Sequence, residues 1–435
     1  MGEIDWTKEN ILFIENKTPE FAESKDATKL RPKIEPWLTA LFQSEHLSLL
    51  TGAGITYAVH KIATGNNPTG MSDLQFNVFA DVIKKRAQVS SELAKRGGTP
   101  NIEDQLRVAN EIACGLRHLD KNYLAADTPT VDQLNADIKR IMNVFISNVL
   151  VCEKNLISNE KSESAIEYLM SFLVSFTSRS ATRERLNIFT TNYDRYIEFA
   201  CDIAGIRLLD RFVGTLSPVF RASRQDVDMH YNPPGIRGEP RYLEGVAHIS
   251  KLHGSLDWVY HNGYVRKIAL PFGARKIKPY LPKTKTEDYC PVLIYPNAAK
   301  DRETSEYPYV ELFRDFAAAV CRPNSTLIVY GYSFGDGHIN RVIKDMLTIP
   351  SAHLVIIAFK DDGQRISNFA KKVRTSQLTV LMGSYFGDLQ TLVDNYLPKP
   401  AIDRTTIKMA ELLKARGISN KDEKEGNDND EGEAK

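Results

Sequence analysis

One local pattern constrains this chain more than any other. An apolar run gives way at once to a short polar or glycine cluster, and this happens five times: LSLL before Thr51 to Gly54, NIFT before Thr191 to Asp194, ISKL before His253 to Ser255, TLIVY before Gly331 to Ser333, and LTVLM before Gly383 to Tyr385. In an open parallel sheet every strand delivers its C-terminal end to the same edge, so loops far apart in sequence line one crevice. The first β-run starts near His46. Further runs are expected at 187–191, 247–252, 292–296, 325–330, 353–359 and 378–382, several rich in Ile and Val and apolar on both faces, as buried parallel strands are. Between Tyr57 and Arg185 the period changes. DLQFNVFADVIKKRAQ, IEDQLRVANEIACGLRHL, VDQLNADIKRIMNVFISNVL and ESAIEYLMSFLVSF space their apolar residues three and four apart, which predicts four or five amphipathic helices inserted after the first strand.

These patterns predict an α/β fold: a Rossmann-like parallel sheet with a large helical insertion. Residues 1–44 read as a helical lead-in carrying Pro32 and Pro36, residues 45–400 as the sheet domain with its insertion over about 57–186, and residues 401–435 as a short helix followed by a disordered acidic tail. Pro, Gly, Arg and Tyr crowd 207–243 and 260–288, so irregular flaps or short hairpins are expected over the crevice. With 435 residues, 42% of them hydrophobic, the chain can bury a large core. Its 56 Lys and Arg balance 55 Asp and Glu, which gives no footing for direct nucleic-acid binding; the run Arg275, Lys276, Lys278, Lys283, Lys285 reads as a solvated loop. Five scattered cysteines without a CxxC pair argue against a disulfide scaffold and a thiolate zinc site, so no metal is expected. The acidic, polar N-terminus and the lack of any apolar stretch approaching about 18 residues predict a cytoplasmic protein without a membrane span.

The clusters carry the chemistry. In TGAGIT two glycines let the backbone approach a pyrophosphate while a helix N-terminus supplies N–H donors, so Gly52, Ala53, Gly54 and Thr56 are phosphate-loop candidates. A tight strand-to-helix turn is the alternative. A dehydrogenase fingerprint would need a third glycine at Tyr57 and an acidic residue about 20 positions on; neither is present. In TTNYD, Asn192 can hold a water or a ribose hydroxyl, and Asp194 can receive N–H donors from an amide-bearing ligand or cap the next helix. His253, just before Gly254, offers a ring that takes a proton near neutral pH. Gly331 and Ser333 are placed to meet phosphate or ribose oxygens, whereas Asp336 and His338 open a helix and can serve as its cap. Gly383, Ser384 and Tyr385 can border a purine ring.

The ordered series GAG-I-T, T-x-N-x-D, x-H-G and G-x-S resembles the sirtuin core, and more closely the sirtuin-like NAD-hydrolases of bacterial antiviral defence. The resemblance covers the sheet-forming parts, a little under half of the chain. It implies NAD+ as substrate, with Ala53 and Gly54 at the phosphates, Asn192 beside the nicotinamide ribose, Asp194 near the carboxamide, His253 as general base, and Gly331 and Ser333 on the adenosine side. It also implies a homo-oligomer and, for some relatives, a separately encoded HerA-type ATPase partner; this chain has no P-loop of its own. Deacylating sirtuins follow the GAG loop with an aspartate-phenylalanine-arginine segment and carry four zinc cysteines. Here YAVHKIATGNNPTGMSDL stands after the loop, CxxC is absent, and Phe76 is the candidate for a nicotinamide-pocket phenylalanine. The expected activity is therefore cleavage of NAD+ to nicotinamide and ADP-ribose, gated because depletion of NAD+ harms the host. An NAD-dependent protein deacylase and a non-catalytic sensor of NAD+ or ADP-ribose are the alternatives.

Overall fold

The computed structural model describes residues 4–17, 20–21, 27–68, 74–93, 100–119, 128–179, 183–223, 229–231, 241–242, 245–281, 290–293 and 307–399. All but the last two belong to one compact unit, Met1–Leu397. The amphipathic stretch expected at 405–416, the acidic tail, Lys283 and Lys285 lie outside the described residues.

Nine strands form the main sheet: β1 (Ile11–Ile14), β2 (Glu20–Phe21), β3 (His46–Thr51), β4 (Asn187–Thr190), β5 (Arg207–Leu209), β6 (Val246–Lys251), β7 (Ser325–Tyr330), β8 (His353–Ala358) and β9 (Leu378–Met382). Their spatial order is β2-β1-β9-β8-β7-β3-β4-β6-β5, and the seven from β9 to β5 run parallel. Only β1 runs against them, and β2 pairs antiparallel with β1, so the segment expected as a helical lead-in also supplies an edge of the sheet. From β3 the chain winds outward through β4 to one edge, then returns to pair β7 with the other side of β3. That reversal is the topological switch point, and ligands of such sheets bind outside the carboxyl ends of the strands there. The register brings those ends level: Thr51 is paired with Thr190 and Tyr330, and Lys251 with Thr190.

Of the run expected at 292–296, Val292 and Leu293 do not join this sheet and the rest lie outside the described residues. Cys290–Leu293 pairs antiparallel with Gly254–His261 and forms the edge of a separate five-stranded sheet. Pro291 explains the difference, because a residue without an N–H cannot complete a central ladder and is tolerated at an edge.

Helix α1 is Ala27–Phe42, and five helices follow β3: α2 (Ala53–Thr64), α3 (Ala80–Leu93), α4 (Ile102–His118), α5 (Val131–Ser158) and α6 (Ser162–Thr177). The insertion is as expected, with its first helix starting directly after the strand. Capping boxes start α4 and α5, each pairing an N-cap side chain (Asn101, Thr130) with a residue three positions on (Asp104, Gln133), so two orphan N–H groups are satisfied at each start. Beyond β4 come α7 (Tyr196–Ile203), α8 (Tyr309–Val320), α9 (Gly337–Met346), α10 (Arg365–Ala370), α11 (Ser384–Gly387) and α12 (Leu389–Asn395).

Alternation along the strands sorts their side chains between two cores. Leu47 and Leu49 of β3 face α1, α2, α6 and α7, whereas Leu50 faces α8 and α9. Helices α3 to α5 enclose a third core that also takes Leu256 and Val259 from the small sheet and Ile268 just after it. Among the described residues no helix is long and apolar enough to cross a membrane.

Strand β8 carries a buried titratable group. His353 accepts or donates at Thr379 Oγ1 through its Nε2, 2.9 Å away, and lies edge-on to Trp37. Burial pushes its pKa down from 6.5 to about 4. As pH falls from 6.5, the unfolded chain takes up the proton and the folded one does not, so stability declines through the window down to about pH 4, by up to about 3 kcal/mol. Urea denaturation should show the wild type's stability advantage over His353→Gln shrinking by that order between pH 7 and pH 4; a constant difference would count against the buried neutral ring.

Candidate active site

A cleft of about 1650 Å³ opens at the switch point. Its floor is two glycine loops in direct contact. Gly52 N–H donates to Tyr330 O (3.2 Å) and Gly54 N–H to Gly331 O (2.9 Å). A Cβ at Gly54 would stand 2.5 Å from Gly331 Cα, and one at Gly331 would stand 2.7 Å from Gly54 Cα. Gly331 also has a φ of +64°, the left-handed region that favours glycine. The glycines are thus required by the packing of one loop on the other, and the backbone they leave bare faces the cleft. Helix α2 starts here with no acidic residue in its first turn, so its N-terminal dipole is open to an anion. Gly54→Ala must move backbone, not a flexible side chain, and overpacking of this kind costs about 1–3 kcal/mol. Its Tm should fall; an unchanged Tm would contradict the interlock.

Asn192 follows β4 and is 8% exposed. Its Nδ2 donates to Gly52 O (3.0 Å) and to Thr56 Oγ1 (2.9 Å). Because Gly52 O can only accept, the amide orientation is fixed, both hydrogens are used, and Oδ1 is left as an acceptor. The Thr56 hydroxyl in turn donates to Asp194 Oδ2 (2.7 Å), while Asp194 Oδ1 accepts from Tyr196 N–H (3.2 Å) at the start of α7. Of the two readings of Asp194, the helix-start one has its contact here, in Tyr196 N–H, while the other carboxylate oxygen accepts from the Thr56 hydroxyl that also meets Asn192. Burial raises its pKa, opposed by Lys251, by the Thr56 hydroxyl and by Tyr196 N–H. The Lys251 ammonium donates to the Asp194 carbonyl and to Glu198 Oε1 (2.9 Å).

The next residue, Arg195, ties this loop to the insertion. Its guanidinium meets Glu153 of α5 in a bidentate pair, Nη2 to Oε2 at 2.6 Å and Nε to Oε1 at 3.1 Å, and its backbone N–H donates to the same carboxylate at 2.9 Å. The Leu270 and Pro271 carbonyls take further guanidinium hydrogens. Burial alone would lower the Arg195 pKa; the Glu153 hydrogen bonds outweigh it and raise it, so the cation is held charged.

His253, directly after β6, is 3% exposed. Its Nε2 stands 3.3 Å from Nε2 of His338 in the first turn of α9, and Asp336 at the N-cap of that helix brings a carboxylate oxygen to the same place, the three ligand atoms lying within 4.8 Å of one another. Asp336 makes no side-chain cap hydrogen bond, so the capping role open to it from sequence is not the one it takes.

The structure therefore brings Ala53, Gly54, Thr56, Asn192, Asp194, His253, Gly331 and Ser333 to one cleft. Gly52 lies behind that wall, where its carbonyl orients Asn192. Gly383, Ser384 and Tyr385 do not line the cleft: Gly383 packs against Glu9 and Asn10, and Tyr385 N–H donates to Asn10 Oδ1 (3.1 Å), leaving Gly387, Asp388 and Gln390 at the wall. Phe76 is buried in the insertion core and does not reach the cleft, where the aromatic pair is Phe145 and Tyr193, edge to face at 5.5 Å.

Other lining residues gave no signal in sequence. Strand β8 ends in Phe359, Lys360, Asp361 and Asp362, with no glycine before Gly363, so it lacks the pattern of the other strand ends; yet Lys360 and Arg365 line the cleft. The Arg365 guanidinium stands over Gly335, beside Ser333. Helices α4 and α5 add Arg107, Phe145, Val149 and Cys152. Helical periodicity alone marks such residues as packing.

No curated protein sequence matches the chain. Among solved structures, a Sir2 homologue in complex with ADP-ribose superposes with a TM-score of 0.39 at 13% identity, over 86% of this chain and 98% of that one. Two further Sir2 structures, described as bearing on the mechanism and regulation of Sir2 enzymes and on sirtuin substrate affinity, give TM-scores of 0.36 at 11% and 14% identity, over 86% and 87% of this chain and 99% and 98% of theirs. Residues 186–379 match a protein family described as the SIR2-like domain. That span holds β4, β5, β6, β7 and β8 with Asn192, Asp194, His253, Gly331 and Ser333, and it is the part of the chain that is similar to the SIR2-like domain.

Proposed function

We propose that this protein hydrolyses NAD+ to nicotinamide and ADP-ribose. The observation that carries the reading is the meeting of Asn192 and His253 in one cleft, with the amide hydrogens of Asn192 already committed to Gly52 and Thr56. The floor of bare glycine backbone, the open N-terminus of α2 and the side chains of Ser333 and Arg365 suit a pyrophosphate.

Cleaving the nicotinamide–ribose bond builds oxocarbenium character on the anomeric carbon, as in glycoside hydrolysis. The bonding pair leaves with nicotinamide and neutralises its ring, so the leaving group needs no acid. Water adds to the anomeric carbon and its proton passes to a base, giving nicotinamide, ADP-ribose and a proton overall. Asn192 Oδ1, an acceptor fixed before substrate arrives, orients the water or a ribose hydroxyl and faces the developing positive charge. His253 accepts the proton. Phe145 and Tyr193 supply an apolar wall beside Asn192.

A role as a gated, NAD-depleting effector of antiviral defence, acting as a homo-oligomer or with a HerA-type ATPase, is supported by the motif series of the sequence. Deacylation is the competing reading, and it predicts nicotinamide release only in the presence of acyl-lysine. Nicotinamide and ADP-ribose are measured with purified full-length protein, with and without an acyl-lysine peptide. Peptide-independent release of both products in equal amounts is expected; release that requires the peptide would replace hydrolysis by deacylation.

A further inference from the structure

His253, His338 and Asp336 form a set of ligands as well as a set of possible proton carriers. Two imidazole nitrogens bound to one zinc ion at about 2.0–2.1 Å and a tetrahedral angle stand about 3.3 Å apart. The Nε2 atoms of His253 and His338 are 3.3 Å apart, and a carboxylate oxygen of Asp336 completes a triangle within 4.8 Å. Both histidines are buried, and all three residues line the cleft, so an ion has an entry path and a fourth position open to water.

The surroundings fix the ligands. The Tyr332 hydroxyl accepts from Asp336 N–H (3.2 Å) and lies 3.3 Å from both Asp336 O and Asn340 Oδ1, anchoring the turn that presents the carboxylate. Phe313 meets the His338 ring edge-on at 4.8 Å, and Tyr193 flanks His253. Second contacts of this kind hold ligand orientation in metal sites. Two imidazoles and one carboxylate select a borderline transition ion such as Zn²⁺ over the oxygen-preferring Mg²⁺ and Ca²⁺.

We infer that these three residues bind one Zn²⁺-type ion, and that the bound ion masks His253. A coordinated Nε2 has no lone pair left for a proton, so the occupied site withholds the base. The masking rests on the hydrolase reading; the binding does not.

The test uses full-length protein stripped with a chelator. Zn²⁺ is titrated in competition with a chromophoric chelator, and Co²⁺ is followed by its visible absorption. The expected result is one equivalent bound with the intense absorption of a tetrahedral site, weakened roughly 100-fold or more in His338→Ala and in the isosteric Asp336→Asn. Circular dichroism confirms that both variants are folded. Absence of stoichiometric binding, or binding indifferent to both substitutions, overturns the site and leaves the histidines a proton-sharing pair. In the same samples Zn²⁺ should suppress nicotinamide release by the wild type in step with occupancy. Binding with undiminished or raised activity overturns the masking. If the metal-free protein releases no nicotinamide, the hydrolase reading fails while the titration still decides the site.

Discussion

His253→Ala is expected to lower the rate of nicotinamide release by about two to four orders of magnitude, and Asn192→Ala by a similar factor. The two losses have different origins. Without His253 the proton of the attacking water or ribose hydroxyl loses the acceptor assigned to it, whereas substrate keeps its phosphate contacts, so kcat should fall and KM change little. Loss of Asn192 removes the oriented Oδ1 and also frees Gly52 O and Thr56 Oγ1, so both the oriented water and the shape of the phosphate loop suffer. Steady-state kinetics separates the cases: KM should rise for Asn192→Ala and stay near wild type for His253→Ala. Wild-type turnover in both variants would remove these residues from the mechanism.

Glu153→Ala should cost about 3–5 kcal/mol of folding stability. The carboxylate receives the Arg195 guanidinium twice and the Arg195 backbone N–H once, and its removal leaves a buried cation unpaired. Arg195 directly follows Asp194, so the cleft should loosen with the fold, and NAD+ affinity should drop in molecules that remain native. Urea denaturation measures the first effect and calorimetric titration of NAD+ the second. The double change Glu153→Leu with Arg195→Met removes both charges together and should recover much of the stability, because replacing a whole buried pair by apolar groups is often close to neutral. Failure of the double variant to recover would shift the weight from the ion pair to the backbone contact.

The interior of the sheet was legible because its strands advertise themselves: apolar on both faces, four to six residues long, and mostly punctuated at the C-terminal end by Gly, Asn or His. By contrast β1, β2 and β5, at or beside the edges, are short and lie in segments read as a helical lead-in and as irregular flaps. Most of the cleft followed from that punctuation. Where it failed, it failed for physical reasons. Strand β8 ends in charged residues, so Lys360 and Arg365 carried no mark. Gly383 has the mark but spends it on a close approach to Asn10. Pro291 moved an apolar run to the edge of another sheet. Glu153 sits in an amphipathic helix where a glutamate ordinarily means solvent, and nothing local foretells that it is fully buried against an arginine 42 positions later. The pairing of His253 with His338 is likewise a product of topology, since the two residues lie 85 positions apart.

The length of α5 extends the reach of the ion pair. At 28 residues the helix is about 42 Å long. From its middle onward it carries Phe145, Val149 and Cys152 into the cleft and Glu153 onto Arg195; in its N-terminal part, Asp137 accepts from Asn77 N–H (2.6 Å) and Val78 N–H (3.0 Å). One continuous helix thus joins the loop that carries Asn192 to the segment that precedes α3.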